Sequence, residues 1–144
     1  MGQKNGFTLV EVLMVLSMLS LLVVIPLLIF PTMNNNSFHS DVIARQIKDD
    51  LLFAQQTAMS QSRQTYIRFS QNSYRVQYSV TDIIIERENI PHLQARSSSL
   101  PLYSISFTPS GHPTHSGHFF VTIGEQTYRY TIYLGKGMIS YSKQ

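Results

Sequence analysis

The sequence predicts an α+β fold, in which an apolar amino-terminal helix precedes a second helix that packs on an antiparallel β-sheet. Three observations lead to this prediction. An apolar run extends over residues 7–30, apolar residues recur at helical spacing from about residue 40, and strand-like segments separated by turn residues fill residues 65–141. A chain of 144 residues has room for one small globular core beside the apolar segment.

The apolar run is long enough to cross a lipid bilayer as a helix. Its 24 residues, 7–30, would span about 36 Å at about 1.5 Å per residue, against a hydrocarbon core of about 30 Å. A lone carboxylate, Glu11, lies inside this run, where burial in hydrocarbon costs a few kcal/mol and usually indicates a partner and a function. Because proline removes a backbone donor, Pro26 and Pro31 predict that the helix kinks or melts after Ile25.

Two simpler interpretations of the amino terminus stay open. A secretory signal peptide has a shorter apolar region and a cleavage site with small residues, and residues 28–33 contain no such site. A plain signal anchor fits the length of the run but leaves Glu11 unexplained.

The amino terminus resembles the class III signal of type IV pilins and pseudopilins. A short leader with one cation, Lys4, ends in Gly6, and Phe7 and Glu11 then stand at the offsets that this signal fixes. The resemblance implies that a prepilin peptidase cleaves between Gly6 and Phe7 on the cytoplasmic side and methylates the new amino terminus on Phe7. Residues 1–6 are then the leader, and Glu11 is the fifth residue of the mature subunit.

Cleavage would give Glu11 a partner. The new amine of Phe7 would lie four residues before Glu11, about 6 Å along the helix axis. The pair can form within one subunit, or Glu11 can face the Phe7 amine of a neighbour in a filament. The second arrangement sets a register, because a displaced subunit would leave a charge unpaired in low-dielectric surroundings at a cost of several kcal/mol. We therefore expect Glu11 to act in assembly.

The distribution of cations predicts the orientation in the membrane. Lys4 lies on the amino side of the apolar run, and no Lys or Arg occurs between Phe30 and Arg45. The positive-inside rule then places the amino terminus in the cytoplasm and the carboxyl-terminal domain outside. We expect a single-pass protein of the cell membrane that is exposed at the cell surface once assembled.

The polar segment after the apolar run predicts a hinge over residues 31–39. A second helix should begin near Ser40 as the N-cap, with Asp41 in its first turn, and end within residues 60–62. One stripe of apolar residues at helical spacing should cover the sheet: Ile43, Ile47, Leu51, Ala54 and Ala58.

The globular head comprises residues 40–144, and the pattern of its residues after the second helix predicts one antiparallel sheet. Residues 66–69 and 74–80 should form a hairpin around a turn at residues 71–73. Further strands are expected at residues 83–85, 102–107, 119–123, 127–134 and 138–141. The composition of residues 87–99 indicates a loop, which Ile90 and Leu93 could attach to the core.

Two further resemblances concern the head and the system that it serves. The pattern from Ser106 to Gly111, followed by a loop, two strands and a closing segment at residues 135–139, is similar to the head of the H-type minor pseudopilins. In pilins the helix that carries the anchor continues into the head and packs on an antiparallel sheet. The lack of cysteine, the short leader and the small head resemble the D-type minor pseudopilins of Gram-positive competence systems.

These resemblances imply a function. The chain would be a minor subunit of a competence pilus that assembles with other major and minor pseudopilins and supports DNA uptake in transformation. The irregular anchor with its two prolines, Pro26 and Pro31, favours a minor over a major subunit. A minor subunit of a type II secretion pseudopilus stays an alternative.

The other chemistry-bearing residues predict no enzyme, no cofactor and no metal. Without cysteine the chain has no disulfide and no thiolate ligand. His112, His115 and His118 recur every third residue, but the glycines and proline among them indicate a solvated loop rather than a zinc site. No nucleophile with a convincing base and no glycine-rich phosphate loop is present.

A signal-anchored DNA-binding module is the alternative from another function class. From residue 40 onward the sequence contains ten Lys or Arg and seven Asp or Glu, and the cations are dispersed along the chain. One predicted hairpin combines cations with aromatic rings, which suits a nucleic acid strand as well as a folded core. Its candidate DNA contacts are Arg68, Arg75, Tyr66 and Tyr74.

Overall fold

The computed structural model of the protein describes residues 8–29, 35–135 and 138–144. The chain divides into two compact units, Met1–Asn34 and Asn35–Gln144. The predicted leader with Gly6, the predicted first mature residue Phe7, and residues 30–34 of the apolar run and hinge lie outside the described residues.

The first unit contains one helix, α1, which comprises Leu9–Ile29. The helix continues past Pro26 to Ile29, which contradicts melting after Ile25, the second of the two predicted outcomes; the predicted kink stays a prediction. A proline removes a single intrahelical donor, and the apolar residues after it keep theirs. Within the described part of the chain, no helix meets the length and apolarity required of a membrane span.

The second unit begins with helix α2, Asn35–Ser60. It includes residues 35–39 of the predicted hinge, and Ser40 is not its N-cap. The buried hydroxyl of Ser40 instead donates a 3.0 Å hydrogen bond to the carbonyl of Ile123. The prediction placed the start of the helix at Ser40 because Ser is a good N-cap and Asp41 follows it, whereas this serine makes a tertiary contact.

The carboxyl end of α2 lies where the sequence predicts it. Ser62 adopts a left-handed conformation with φ of 50°. The N–H groups of Ser62 and Arg63 donate to the carbonyls of Met59 and Ala58 at 3.3 and 3.1 Å. This pair of bonds is the Schellman arrangement that satisfies the last carbonyls of a helix.

Two four-stranded antiparallel sheets follow, rather than the single sheet that the sequence predicted. The strands are β1 (Thr65–Ser70), β2 (Ser73–Gln77), β3 (Ile83–Arg87), β4 (Leu93–Ser97), β5 (Ser106–Phe107), β6 (Gly117–Ile123), β7 (Gln126–Ile132) and β8 (Ile139–Lys143). Sheet 1 has the order β3-β2-β1-β5, and sheet 2 has the order β4-β6-β7-β8. The chain divides between two sheets because β4 pairs with β6 and not with β3.

Two segments differ from their predictions. Residues 87–99, expected to be a loop, contain β4, whose buried Leu93 pairs with Ile123. Residues 102–107, expected to be one strand, form the 3-10 helix Leu102–Ser104 and the two-residue β5.

The core lies where α2 covers the inner faces of the sheets. All five residues of the predicted stripe are buried, at 6% exposure or less, which confirms this prediction. A row of aromatic rings connects the sheets, since Phe69 of β1 lies 5.7 Å from Phe119 of β6 between ring centroids. Phe119 in turn stacks on Tyr130 at 5.3 Å, and Tyr130 stacks on Tyr141 at 5.8 Å.

A buried ionic group connects α2 to sheet 1. The carboxylate of Asp50, with 7% of the residue exposed, accepts a 2.6 Å hydrogen bond from the hydroxyl of Tyr74. Arg87 donates to both oxygens of this carboxylate, at 3.1 and 3.3 Å. Burial, and then the bond to Asp50, raises the pKa of Tyr74 above its usual value, and the bond to Asp50 raises the pKa of Arg87.

Tyrosine hydroxyls also connect α2 to sheet 2. Tyr128 donates a 2.6 Å hydrogen bond to Asp41, and Tyr130 donates a 2.7 Å bond to the carbonyl of Ala44. The bond from Tyr128 lowers the pKa of Asp41, with a smaller contribution from Lys143 at 3.5 Å, against a raising effect of burial. Burial is the main cause that raises the pKa of both tyrosines.

Candidate functional site

The first candidate site is the start of α1. Thr8 is the N-cap residue, because its side-chain oxygen accepts a 3.3 Å hydrogen bond from the N–H of Glu11 and its carbonyl accepts from Glu11 and Val12 at 3.0 and 3.2 Å. Thr8 and Glu11 stand three residues apart, which is the spacing of a capping box. A carboxylate in the first turn also interacts favourably with the helix dipole. The backbone of Glu11 thus takes part in the cap, and its side chain stands at the position from which a capping-box carboxylate bonds back to the N-cap.

The surroundings of Glu11 are apolar. From Thr8 to Ile25 every side chain of this unit is exposed. The hydroxyls of Ser17 and Ser20 donate to the carbonyls of Met14 and Ser17, both at 2.8 Å. Because these hydroxyls are satisfied inside the helix, Glu11 is the main polar group that α1 presents outward.

The second candidate site is the hairpin of β1 and β2. Arg68 pairs directly with Arg75 across the two strands, and Tyr66 lies on the same face, two residues before Arg68. Tyr74 lies on the opposite face, is 2% exposed and bonds to Asp50. The structure thus brings three of the four predicted DNA contacts together and places Tyr74 in the core.

The two arginines of this hairpin already have partners within the head. Arg75 forms a 3.3 Å ion pair with Glu86 of β3. Arg68 donates to the carbonyl of Tyr103 and lies over the Tyr66 ring, 5.4 Å from its centroid. These contacts match the plainer interpretation, in which arginines lie over tyrosines of the sheet.

A third surface was missed by the sequence analysis. On the outer face of sheet 2, Arg96 of β4 pairs with Phe120 of β6, and Phe120 pairs with Arg129 of β7. The two guanidinium carbons lie 5.3 and 5.5 Å from the centroid of the Phe120 ring. The alternation of buried and outward residues in β6 and β7 was visible in the sequence, but Arg96 joins them only through the unpredicted β4.

The three histidines do not form a cluster. His118 lies in β6, where its ring nitrogens lie 3.0 and 2.8 Å from the hydroxyls of Ser98 and Ser99. His112 bonds to Ser110 and His115 bonds to Thr114. Across the residues that the structure describes, no three His, Cys, Asp or Glu side chains come together as a metal site.

One groove of about 390 Å³ opens where the two sheets meet. It is lined by Phe69, Ser70, Gln71, Leu93, Gln94, Ala95 and Leu102. None of these side chains can act as an acid, a base or a charged ligand near neutral pH, so the lining of the groove offers no acid–base group.

The two parts of the chain match two known sequence families. Residues 1–25 match the prokaryotic N-terminal methylation motif, and residues 44–136, more than half of the chain, match the family described as Type II transport protein GspH. The chain belongs to the GspH-type pseudopilin family. This pseudopilin is also 33% identical to the competence protein ComGD of Bacillus subtilis (strain 168), over 100% of its own length and 97% of ComGD. No solved structure matches it significantly.

These matches confirm the resemblances noted for the amino terminus and for the head. Pseudopilins are structural components that are processed by prepilin peptidase and assemble with other pilins. The methylation motif indicates a membrane-anchored pilin that is exposed at the surface. The α+β architecture, with an amino-terminal helix, a second helix and antiparallel sheets, agrees with this membership.

Proposed function

We propose that this pseudopilin is a minor subunit of a competence pilus and supports DNA uptake in transformation. The observation that carries this proposal is the 33% identity to the competence protein ComGD over the whole chain. Deletion of the gene should abolish transformation and leave protein secretion unchanged. The reverse result would favour the type II secretion pseudopilus, to which the description of the GspH family points.

The proposal includes maturation at the amino terminus. Prepilin peptidase cleaves between Gly6 and Phe7 and methylates the amine of Phe7, which the match to the methylation motif supports. The precursor crosses the membrane once, with Lys4 in the cytoplasm and the head outside. Mass spectrometry of the cellular protein should find a chain that begins with methylated Phe7. A chain that still begins with Met1 in competent cells would contradict this step.

Glu11 is proposed to pair with the Phe7 amine of a neighbouring subunit during assembly. Its exposed position on an apolar helix supports this role, while its capping-box spacing from Thr8 offers a purely structural explanation. A role in charge pairing and a role in capping the helix predict that different substitutions disrupt assembly. Glu11→Gln keeps a side chain that can act in a capping box but removes the charge.

Glu11→Gln should therefore be cleaved normally and fail to co-purify with the other pseudopilins. Thr8→Val, which removes the capping oxygen and keeps Glu11, is the matched control and should still assemble. Normal assembly of Glu11→Gln together with failure of Thr8→Val would show that the cap, and not the charge, is required. Cleavage of both variants is checked by mass spectrometry.

A further inference from the structure

The outer face of sheet 2 carries cations without nearby acidic side chains. Its central row is Arg96, Phe120, Arg129 and Ser142, and the adjoining rows contain Gln94, Thr122, Thr127, His118, Thr131 and Ser140. Among these ten residues none is acidic. The ion pairs found in the described residues use Arg63, Arg75, Arg87 and Lys143, and neither arginine of the row is among them.

The two guanidinium groups flank one ring, because β6, which carries Phe120, lies between β4 and β7. Both lie against the same ring, within 5.5 Å of the Phe120 centroid. Arg129 also donates a 3.1 Å hydrogen bond to the side-chain oxygen of Gln144, which is a neutral acceptor. Each charge gains from the negative face of the ring. The strands that carry the two arginines lie two strand spacings apart, about 10 Å, so one anion can contact both only if it extends across β6.

The row of Arg96, Phe120 and Arg129 is suited to an extended anion that has several oxygen atoms. Guanidinium forks match phosphate oxygens, and the hydroxyls of Thr131 in β7 and Ser142 in β8 can donate to the same groups. The nearest acidic residue along β6 and β7 is Glu125 in their connecting turn, four residues from Arg129, or about 13 Å along a strand. A linear polyphosphate therefore meets no acidic side chain along the row.

We infer that the row Arg96–Phe120–Arg129 binds the phosphates of duplex DNA. The choice of DNA as the occupant rests on the proposed role in DNA uptake and on the charge of the surface. Contact with only a few phosphates gives weak binding without sequence preference, and each contact contributes about 0.9 to the salt dependence of the affinity. The hairpin of β1 and β2 is a poorer site, because Arg75 is paired with Glu86 and Arg68 with the Tyr103 carbonyl.

The test uses the full-length chain in an uncharged detergent, with fluorescence anisotropy of a short labelled duplex over a series of salt concentrations. Arg96→Gln/Arg129→Gln should weaken binding at low salt about tenfold or more and lower the salt slope by about 2. The rival pair, Arg68→Gln/Arg75→Gln, removes the same charge from sheet 1 and should change the affinity by less than about twofold. Arg96→Lys/Arg129→Lys keeps the charges and should retain most of the binding.

Four results would overturn the inference. These are no binding by the unaltered chain at low salt, equal losses for the two glutamine pairs, loss only in the rival pair, or equally tight binding of polyglutamate of matched charge. The last result would indicate an acidic protein as the occupant. Circular dichroism of each variant checks that the head stays folded, as expected for outward side chains.

A cellular experiment separates this inference from the proposed function. If both are correct, Arg96→Gln/Arg129→Gln co-purifies with the other pseudopilins but lowers transformation. Unchanged transformation in this variant would contradict DNA binding by the row as a step of uptake. Unchanged transformation after deletion of the whole gene would instead contradict the competence role.

Discussion

Tyr74 donates a 2.6 Å hydrogen bond to Asp50, and the two residues connect β2 to α2 inside the core. Arg87 of β3 completes the group from the partly exposed side, with 40% of its side chain accessible. A buried carboxylate is tolerated only when it is paired and hydrogen-bonded, and here both of its oxygens have donors. This group joins α2 to two strands of sheet 1.

Removal of Asp50 should destabilise the head strongly. Asp50→Ala leaves the buried Tyr74 hydroxyl without its acceptor, and we expect a loss of about 2–3 kcal/mol in the free energy of unfolding. The measurement is urea unfolding followed by tyrosine fluorescence. Asp49→Ala changes the exposed neighbour in the same helix and should cost less than about 0.5 kcal/mol. Similar losses in both variants would contradict a special role for the group.

Alkaline pH should destabilise the head through its buried tyrosines. The pKa values of Tyr74, Tyr128 and Tyr130 are raised by burial in the folded state. Unfolded tyrosine ionises near pH 10 and the folded residues do not, so the stabilisation is complete below about pH 10 and is lost as the pH rises further. The free energy of unfolding should therefore fall above about pH 10, and less steeply in Tyr74→Phe. A flat profile in the unaltered chain would refute this prediction.

Acid pH should act through Asp41. Its folded pKa is lowered, mainly by the Tyr128 bond, so its contribution is complete above the unfolded value of about 3.9 and is lost as the pH falls through the folded value. The difference in unfolding free energy between the unaltered chain and Tyr128→Phe should shrink below about pH 4. Tyr130→Phe is the control, since its hydroxyl bonds to the non-titrating carbonyl of Ala44 and its effect should stay constant over this range. A constant difference for Tyr128→Phe would argue against the linkage.

Gly111 should not tolerate a side chain. Its φ is +79°, and an added Cβ would lie 2.5 Å from the Met59 sulfur. Gly111→Ala should therefore cost about 1–3 kcal/mol, through backbone strain and overpacking. Gly135→Ala is the control, because nothing lies within 4 Å of its added Cβ.

The double variant Met59→Ala/Gly111→Ala separates the two causes of this cost. It should recover the steric part and keep the strain. Equal thermal midpoints for Gly111→Ala and Gly135→Ala would show that the loop rearranges without cost.

The stripe of α2 could be predicted because helical spacing alone decides which residues share a face. The division into two sheets could not be predicted in the same way, because it depends on which distant strands pair. β4 alternates only weakly in burial, since Leu93 is its one fully buried residue. β4 can be recognised as a strand only from its pairing with β6, which the sequence does not show. Because β4 was not predicted, the row of Arg96, Phe120 and Arg129 was not predicted either.

In the hairpin of β1 and β2, a shift of one residue in the strand register changes which side chains share a face with Arg68. Tyr74 and Arg75 are neighbours in a strand, so they cannot both share a face with Arg68. A turn of three residues, 71–73, would pair Ser70 with Tyr74 and so place Tyr74 on the same face as Arg68. The observed turn has two residues, Gln71 and Asn72, and it pairs Arg68 with Arg75 instead. Asn72 has φ of 58°, a conformation that asparagine adopts more readily than most residues.

The tethers of α2 have a mechanical consequence. Ser40 and Ala44 bond to sheet 2 near the start of the helix, and Asp50 and Ala54 bond to sheet 1 further along. Tension applied at the amino end of α2 therefore loads the bonds to sheet 2 before it reaches those to sheet 1. We therefore expect a head that is pulled from this end to lose its hydrogen bonds to sheet 2 before those to sheet 1.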